Sequence, residues 1–248
     1  MGTSMRLPRS LCLHPTLVLA LTWPLGSALH AQATKDPAAV SAINTALASM
    51  GGQPALAAVQ DAVVTAQIQG AADGQPGTTQ FTWKSIGLAL RTEATASSGN
   101  TISTSQGGIG YIEDATGTVS SMDQRLGHSI FPHHLPGIAL LYLLNAPDRS
   151  LSIISDTSAT PNLVHVLSVQ VLSDQSTVYE TQQDWYIDMS LGLPTRVDFV
   201  IPAPSGPDGT GSVQLISWQK TSTLLMPLTI EVTENGGTPS AISVGTPP

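Results

Sequence analysis

Thr181–Ile201, TQQDWYIDMSLGLPTRVDFVI, is the stretch that decides the fold class. In its first arm, extended back by two residues, Tyr179, Trp185 and Ile187 fall on one face, and Glu180, Gln182, Asp184 and Asp188 fall on the other. In the second arm Val197, Phe199 and Ile201 oppose Arg196 and Asp198. A period of two with one apolar and one charged face is the pattern of an antiparallel strand covered on one side. Gly192 supplies backbone freedom between the arms, and Pro194 lacks the N–H that a ladder needs. The stretch is a β-hairpin with one apolar face.

Working outward, the same signal recurs on both sides. Leu163–Leu172 precedes the hairpin, and Val213–Trp218 and Met226–Thr233 follow it, with Met226, Leu228, Ile230 and Val232 alternating inward. In the first half a strand is expected over Ala62–Gly70; Phe81 and Trp83 share a face of the next, and Leu88 and Leu90 a face of the one after. Weaker strands follow at Thr101–Ser105 and Ile109–Glu113, and Asp73-Gly74, Pro76-Gly77 and Ser97–Asn100 read as turns. Together these describe a meander of antiparallel strands.

Two helices interrupt it. Asp36-Pro37 is a carboxylate cap followed by proline at the first helical position; Val40, Ile43, Leu47 and Met50 then form one apolar stripe, which Gly51 and Gly52 end. A short helical turn follows over Pro54–Val59. From Leu135 to Leu144 almost every residue is apolar. A helix this short and apolar all round has to be buried, so it is expected as a plug against the concave face of the sheet. The tail, 235–248, has no period and is expected to be mobile.

Residues 1–33 read as an export signal: Arg6 and Arg9, then an apolar run from Leu17 to Leu25, then Ala31-Gln32-Ala33 as a cleavage signature. The run is shorter than the roughly 20 residues that span a bilayer, and no later segment qualifies as a transmembrane helix. Cleavage after Ala33, or after Ala31 as second choice, removes the only cysteine, Cys12. No disulfide, thiolate metal site or cysteine nucleophile is then expected, and a core of about 215 residues must stabilise the fold alone. Nine basic residues stand against seventeen acidic ones, and two of the nine are Arg6 and Arg9. That balance argues against nucleic acid or an anionic membrane surface as partner.

The order of elements, with the local patterns Met50-Gly51-Gly52, Phe81-Thr82-Trp83, Leu135-Pro136 with Leu140-Leu141, Trp185-Tyr186-Ile187-Asp188 and Gly192-Leu193-Pro194-Thr195-Arg196, resembles exported proteins of the LolA-like superfamily, the periplasmic lipoprotein carriers and their relatives. The resemblance runs roughly from Asp36 to Glu234. It implies an α+β, mainly β fold over residues 34–234: a curved antiparallel sheet forming an open half-barrel, with helices covering a concave face that holds acyl chains. The carriers latch their lid with an arginine on an inner strand. Arg91 falls on the face opposite Leu88 and Leu90, so no arginine is assigned that place.

Several side-chain groups invite chemistry. His128, His133 and His134, with Asp123 nearby, suggest a metal, but adjacent residues in an extended loop point apart, so the histidines are read as a solvated loop with no metal. Asp184, Asp188 and Asp198 suggest a carboxylate pair, yet they lie opposite the apolar face near Arg196 and are read as a solvated, ion-paired surface. Gly107-Gly108-Ile109-Gly110 lacks the context of a phosphate-binding loop and is read as a bend. Trp83, Trp185, Trp218, Tyr111 and Tyr179 are core aromatics taken singly; as a set on a curved sheet they can line a binding surface.

The expected function is an exported soluble binding protein, periplasmic or secreted, that holds a lipid, acyl chain or other apolar ligand without a cofactor, for envelope lipid or lipoprotein transport. The expected ligand-binding residues are Phe81, Trp83, Leu88, Leu90, Leu140, Leu141, Leu144, Trp185, Ile187, Val197, Phe199, Leu228 and Ile230. The alternative is a non-catalytic envelope module with a filled core that recruits a protein partner through an edge strand. An exported hydrolase ranks behind both, because no nucleophile and base can be paired.

Overall fold

The computed structural model describes residues 33–69, 76–85, 89–129, 132–154, 162–173, 178–203 and 205–244, apart from the side chains of 172–180. The proposed signal, and Leu88 among the expected ligand-binding residues, lie outside the described residues.

Two helices lead: α1 (Pro37–Ser49) and α2 (Gln53–Ala57). The Asp36 carboxylate caps α1, accepting from the Ala38 N–H at 2.8 Å. The chain leaves α1 through Gly51 and Gly52, both at positive φ, where a Cβ on Gly51 would lie 2.7 Å from the Thr223 carbonyl. Six strands follow: β1 (Asp61–Gln69), β2 (Gly77–Lys84), β3 (Ala89–Ala96), β4 (Gly99–Gln106), β5 (Ile109–Glu113) and β6 (Val119–Ser121). A crossing segment carries α3 (Gln124–Ser129) and α4 (Pro136–Asn145). The return strands are β7 (Arg149–Ile154), β8 (Leu163–Ser173), β9 (Val178–Asp188), β10 (Leu193–Ile201), β11 (Gly209–Thr221), β12 (Leu224–Glu234) and β13 (Ser240–Val244).

Among the described residues all thirteen strands belong to one antiparallel sheet in the order β6-β5-β4-β3-β2-β1-β13-β12-β11-β10-β9-β8-β7. The chain starts at the centre, meanders out to one edge, crosses to the opposite edge through α3 and α4, and meanders back. The sheet is open, its edges being β6 and β7. It therefore has two wings, β1–β6 and β7–β12, joined by β13. This is a mainly β, curved open half-barrel with helices on its concave face.

The joining strand corrects the sequence reading of the tail. Residues 240–244 are not a mobile end: Ile242 pairs with Ile230 on one side and with Ile68 on the other. Residues 240–244, beyond Glu234, thus form a strand of the same sheet. In SAISV only Ile242 and Val244 bury apolar side chains, too little alternation to stand out between the glycines and prolines around it.

The central hairpin has the register its pattern predicts. Trp185 faces Val197, and Asp184 faces Asp198. Trp185, Ile187 and Val197 are fully buried, while Asp184, Asp188 and Asp198 are not. Asp188 closes the turn, accepting from the Ser190 N–H at 2.8 Å and its hydroxyl at 2.6 Å. As expected, α4 is a plug: Ile138, Ala139, Leu140 and Leu143 are buried. It packs against α2 at Gly137, where a Cβ would lie 2.7 Å from Leu56 Cδ2. The Lys35 ammonium bonds the Leu144 carbonyl at the C-terminus of α4, where the helix dipole favours a cation.

Candidate functional site

The concave face is the place to look for a site, because both meanders turn their apolar residues toward it and the crossing segment lies over it. Of the residues expected to bind a ligand, Trp83, Leu90, Leu140, Trp185, Ile187, Val197 and Ile230 are buried in one continuous core, with Phe81, Leu141, Leu144 and Phe199 partly buried against it. Leu228 stands apart. It is half-buried and outside that core, because β12 is paired to β11 across irregular register at Leu215–Trp218, and the strand's burial switches from Ile230 to Pro227. Tyr179 lies on β9, with its side chain outside the described set.

These residues are covered by the protein itself. The segment between α3 and α4 inserts two imidazoles between the wings: His133 stacks on Phe199 of β10 at 4.5 Å, and His134 on Phe81 of β2 at 3.8 Å. This overturns the reading of a solvated loop. The two side chains do point apart, as adjacent residues should, but each meets an apolar wall instead of water. Burial pushes both imidazoles down to about 3, so they are neutral at ordinary pH. No group of three or more potential metal ligands occurs among the described residues.

Beside α4 a cavity remains. It measures about 60 Å³, and its walls come from β2, β3, β4, α4 and β7: Trp83, Leu90, Ser105, Ile138, Tyr142 and Arg149. Its rim is Gly107 and Gly108, His128 and Pro132. The glycine cluster is more than a bend. Gly108, at φ +85°, lies so close to the His128 ring that a Cβ would sit 2.1 Å from Nε2.

Arg149 is the residue the sequence did not reveal. It opens β7, points inward and is only 2% exposed. Its Nη2 donates to Gln170 Oε1 at 2.8 Å, and Gln170 Nε2 donates in turn to Asp148 Oδ2 at 2.6 Å. Its Cζ lies 5.8 Å from the Tyr142 ring centre. Burial lowers the guanidinium's pKa, and Tyr142 and Asp148 oppose that. A charged residue at the inward position broke the apolar alternation that would have marked β7. His128 is held below its ordinary value by burial and then by Arg149.

The outer face carries the acids. His165 Nδ1 lies 3.7 Å from Asp184 Oδ2, and Arg196 Nε donates to Asp198 Oδ1 at 2.7 Å within its own strand. Burial raises the Asp184 pKa against the opposing pull of His165, while Arg196 and neighbouring hydrogen bonds hold Asp198 low despite its burial. Asp184 and Asp198 border a shallow hollow of about 350 Å³ on that face.

No family model and no curated protein matches the chain. Among solved structures it is similar to a LolA superfamily protein from Nitrosomonas europaea, with a TM-score of 0.50 and 14% identity over 84% of this chain and 91% of that one. It is equally similar to a DUF1329 family protein from Desulfovibrio piger, with a TM-score of 0.50 and 10% identity over the same shares. The fold is LolA-like.

Proposed function

From this LolA-like fold we propose that the chain is an exported, non-catalytic binding protein that takes a lipid, acylated or otherwise apolar ligand onto its concave face when the crossing segment lifts. The observation that carries the reading is the manner in which that face is filled. His133, His134 and α4 all belong to the crossing segment between the two edges of the sheet, and they cover the wings through side-chain packing. Neutral imidazoles are a poor permanent filling for an apolar wall, since each must leave water to stay there. The Nε2 atoms of His134 and Gln183 and the Ser168 hydroxyl are buried without a hydrogen-bond partner. Such groups cost about 1–3 kcal/mol each, which narrows the gap between the closed and open arrangements. An acyl chain that takes the place of the crossing segment's side chains gains about 0.8 kcal/mol per buried methylene.

The export signal in residues 1–33 and the absence of a membrane-spanning helix among the described residues fit a periplasmic or secreted carrier. Native mass spectrometry of the protein purified from its own envelope fraction, followed by organic extraction, tests this. A released lipid or acylated species is expected. A ligand-free mass that does not shift on adding lipids would sink the reading.

A second reading has its own observation. Among the described residues the concave side packs into one continuous core with a cavity of about 60 Å³ beside it, and the edge strand β6 and its neighbour expose Ile109, Tyr111 and Val119. A filled core with one open apolar edge suits an envelope module that adds a partner's strand. Unchanged hydrogen exchange in α4 on adding lipid, together with a partner cross-linked at residue 119, would favour it.

A further inference from the structure

The cavity beside α4 is far too small for an acyl chain, and its walls are of two kinds. Trp83, Leu90 and Ile138 are apolar; Arg149 and Ser105, both buried, are polar. We propose that this cavity is a head-group subsite, in which the Arg149 guanidinium receives the carboxylate of a fatty acid whose chain continues beneath α4. The proposal rests on the binding-protein reading above and adds the chemical class of the ligand.

Size limits the occupant first. About 60 Å³ accommodates only a few heavy atoms, since a single water already needs about 10–15 Å³ of such space. That is enough for a carboxylate and the start of a chain. Chemistry limits it next. A guanidinium is a planar fork that matches a carboxylate with two parallel hydrogen bonds, and such bonds are about twice as strong as neutral ones. Gln170 holds the fork from behind at 2.8 Å, and Tyr142 flanks it, so its orientation is set before a ligand arrives. The chain as a whole is acidic, with a net charge of −8, which leaves a buried cation as a local exception able to sort anions from neutral amphiphiles. Position is the third argument. The cavity touches α4 through Ile138 and Tyr142, the element that must move to admit a chain, and Leu140 and Leu143 beyond it cover the core where the chain would lie.

The test titrates the full mature chain with dodecanoate, dodecanol and butyrate, followed by calorimetry. Dodecanoate is expected to bind at least about tenfold more tightly than dodecanol, the margin of a charge-assisted pair. In Arg149→Gln that preference is expected to disappear, because the carboxylate loses more than the hydroxyl does when the charge is removed. Should that variant fail to fold by near-ultraviolet circular dichroism, Ser105→Leu fills the cavity from the β4 wall, leaves Arg149 in place and is expected to abolish the same preference. Equal binding of dodecanoate and dodecanol to the wild-type chain overturns the subsite and leaves the binding-protein reading standing. Binding of neither amphiphile removes both. Butyrate binding as tightly as dodecanoate supports the carboxylate subsite and assigns it to small acids, against the acyl reading.

Discussion

The two wings of the sheet are built to different standards. In the wing β7–β12, five of the six strands span nine to thirteen residues, and Trp185, Ile187, Val197 and Val166 are fully buried on the concave side. The wing β1–β6 tapers from nine residues to three, buries smaller side chains such as Thr79 and Ser105, and exposes Ile109, Tyr111 and Val119 near its edge. One wing is a scaffold; the other, with the crossing segment, forms most of the walls and rim of the cavity. The proposed opening needs this inequality, because the lower-stability part can rearrange while the rest keeps its shape.

Removing what joins the wings is expected to have the largest effect. Ending the chain after Glu234 deletes β13 and leaves β1 and β12 without their shared neighbour; loss of a single cooperative thermal transition is expected in calorimetry. Next in size, Trp185→Ala should cost about 4 kcal/mol in urea unfolding, whereas Leu90→Ala, beside an existing cavity in the thinner wing, should cost nearer about 2 kcal/mol. Equal losses would deny the inequality.

Acid sharpens it. His133 and His134 are held near 3 in the folded chain, while the unfolded chain titrates near the ordinary value of 6.5. The unfolded state thus binds more protons between those values, so their stability contribution is complete above 6.5 and is lost as pH falls toward 3. Between pH 7.5 and 5.5 the loss should be about 2–3 kcal/mol for the pair, and His133→Phe with His134→Phe should flatten the profile. Gly108→Ala should cost about 1–2 kcal/mol, since it combines a positive φ with a clash against His128. Smallest of all, Val119→Lys on the exposed edge should change stability by less than about 0.5 kcal/mol.

What was legible in the sequence follows the same division. Strands β8–β12 were long enough for a period of two to show, α1 carried a cap, a proline and an apolar stripe, and α4 a proline and an unbroken apolar run. The half-barrel and most of its inward residues could therefore be named. The site could not. It depends on Arg149, which looks like a surface residue beside Pro147, and on His133 and His134, whose polarity pointed to solvent although two apolar walls lie within stacking distance. Residue type tells where a side chain lies when it stands alone, and it misleads when a segment is wedged between two surfaces. β13 escaped for a simpler reason: five residues with two buried apolar side chains carry almost no periodic signal.

That strand also sets the order in which the molecule can be finished. β1, near the start of the described fold, has β13 as its neighbour, so the middle of the sheet waits for the last strand to be synthesised. Pairings of such long range are slow to form, because the loop must close before the contacts repay it. The hairpins of each wing join strands adjacent in sequence, so both wings can form on their own and wait for β13 to close the centre of the sheet.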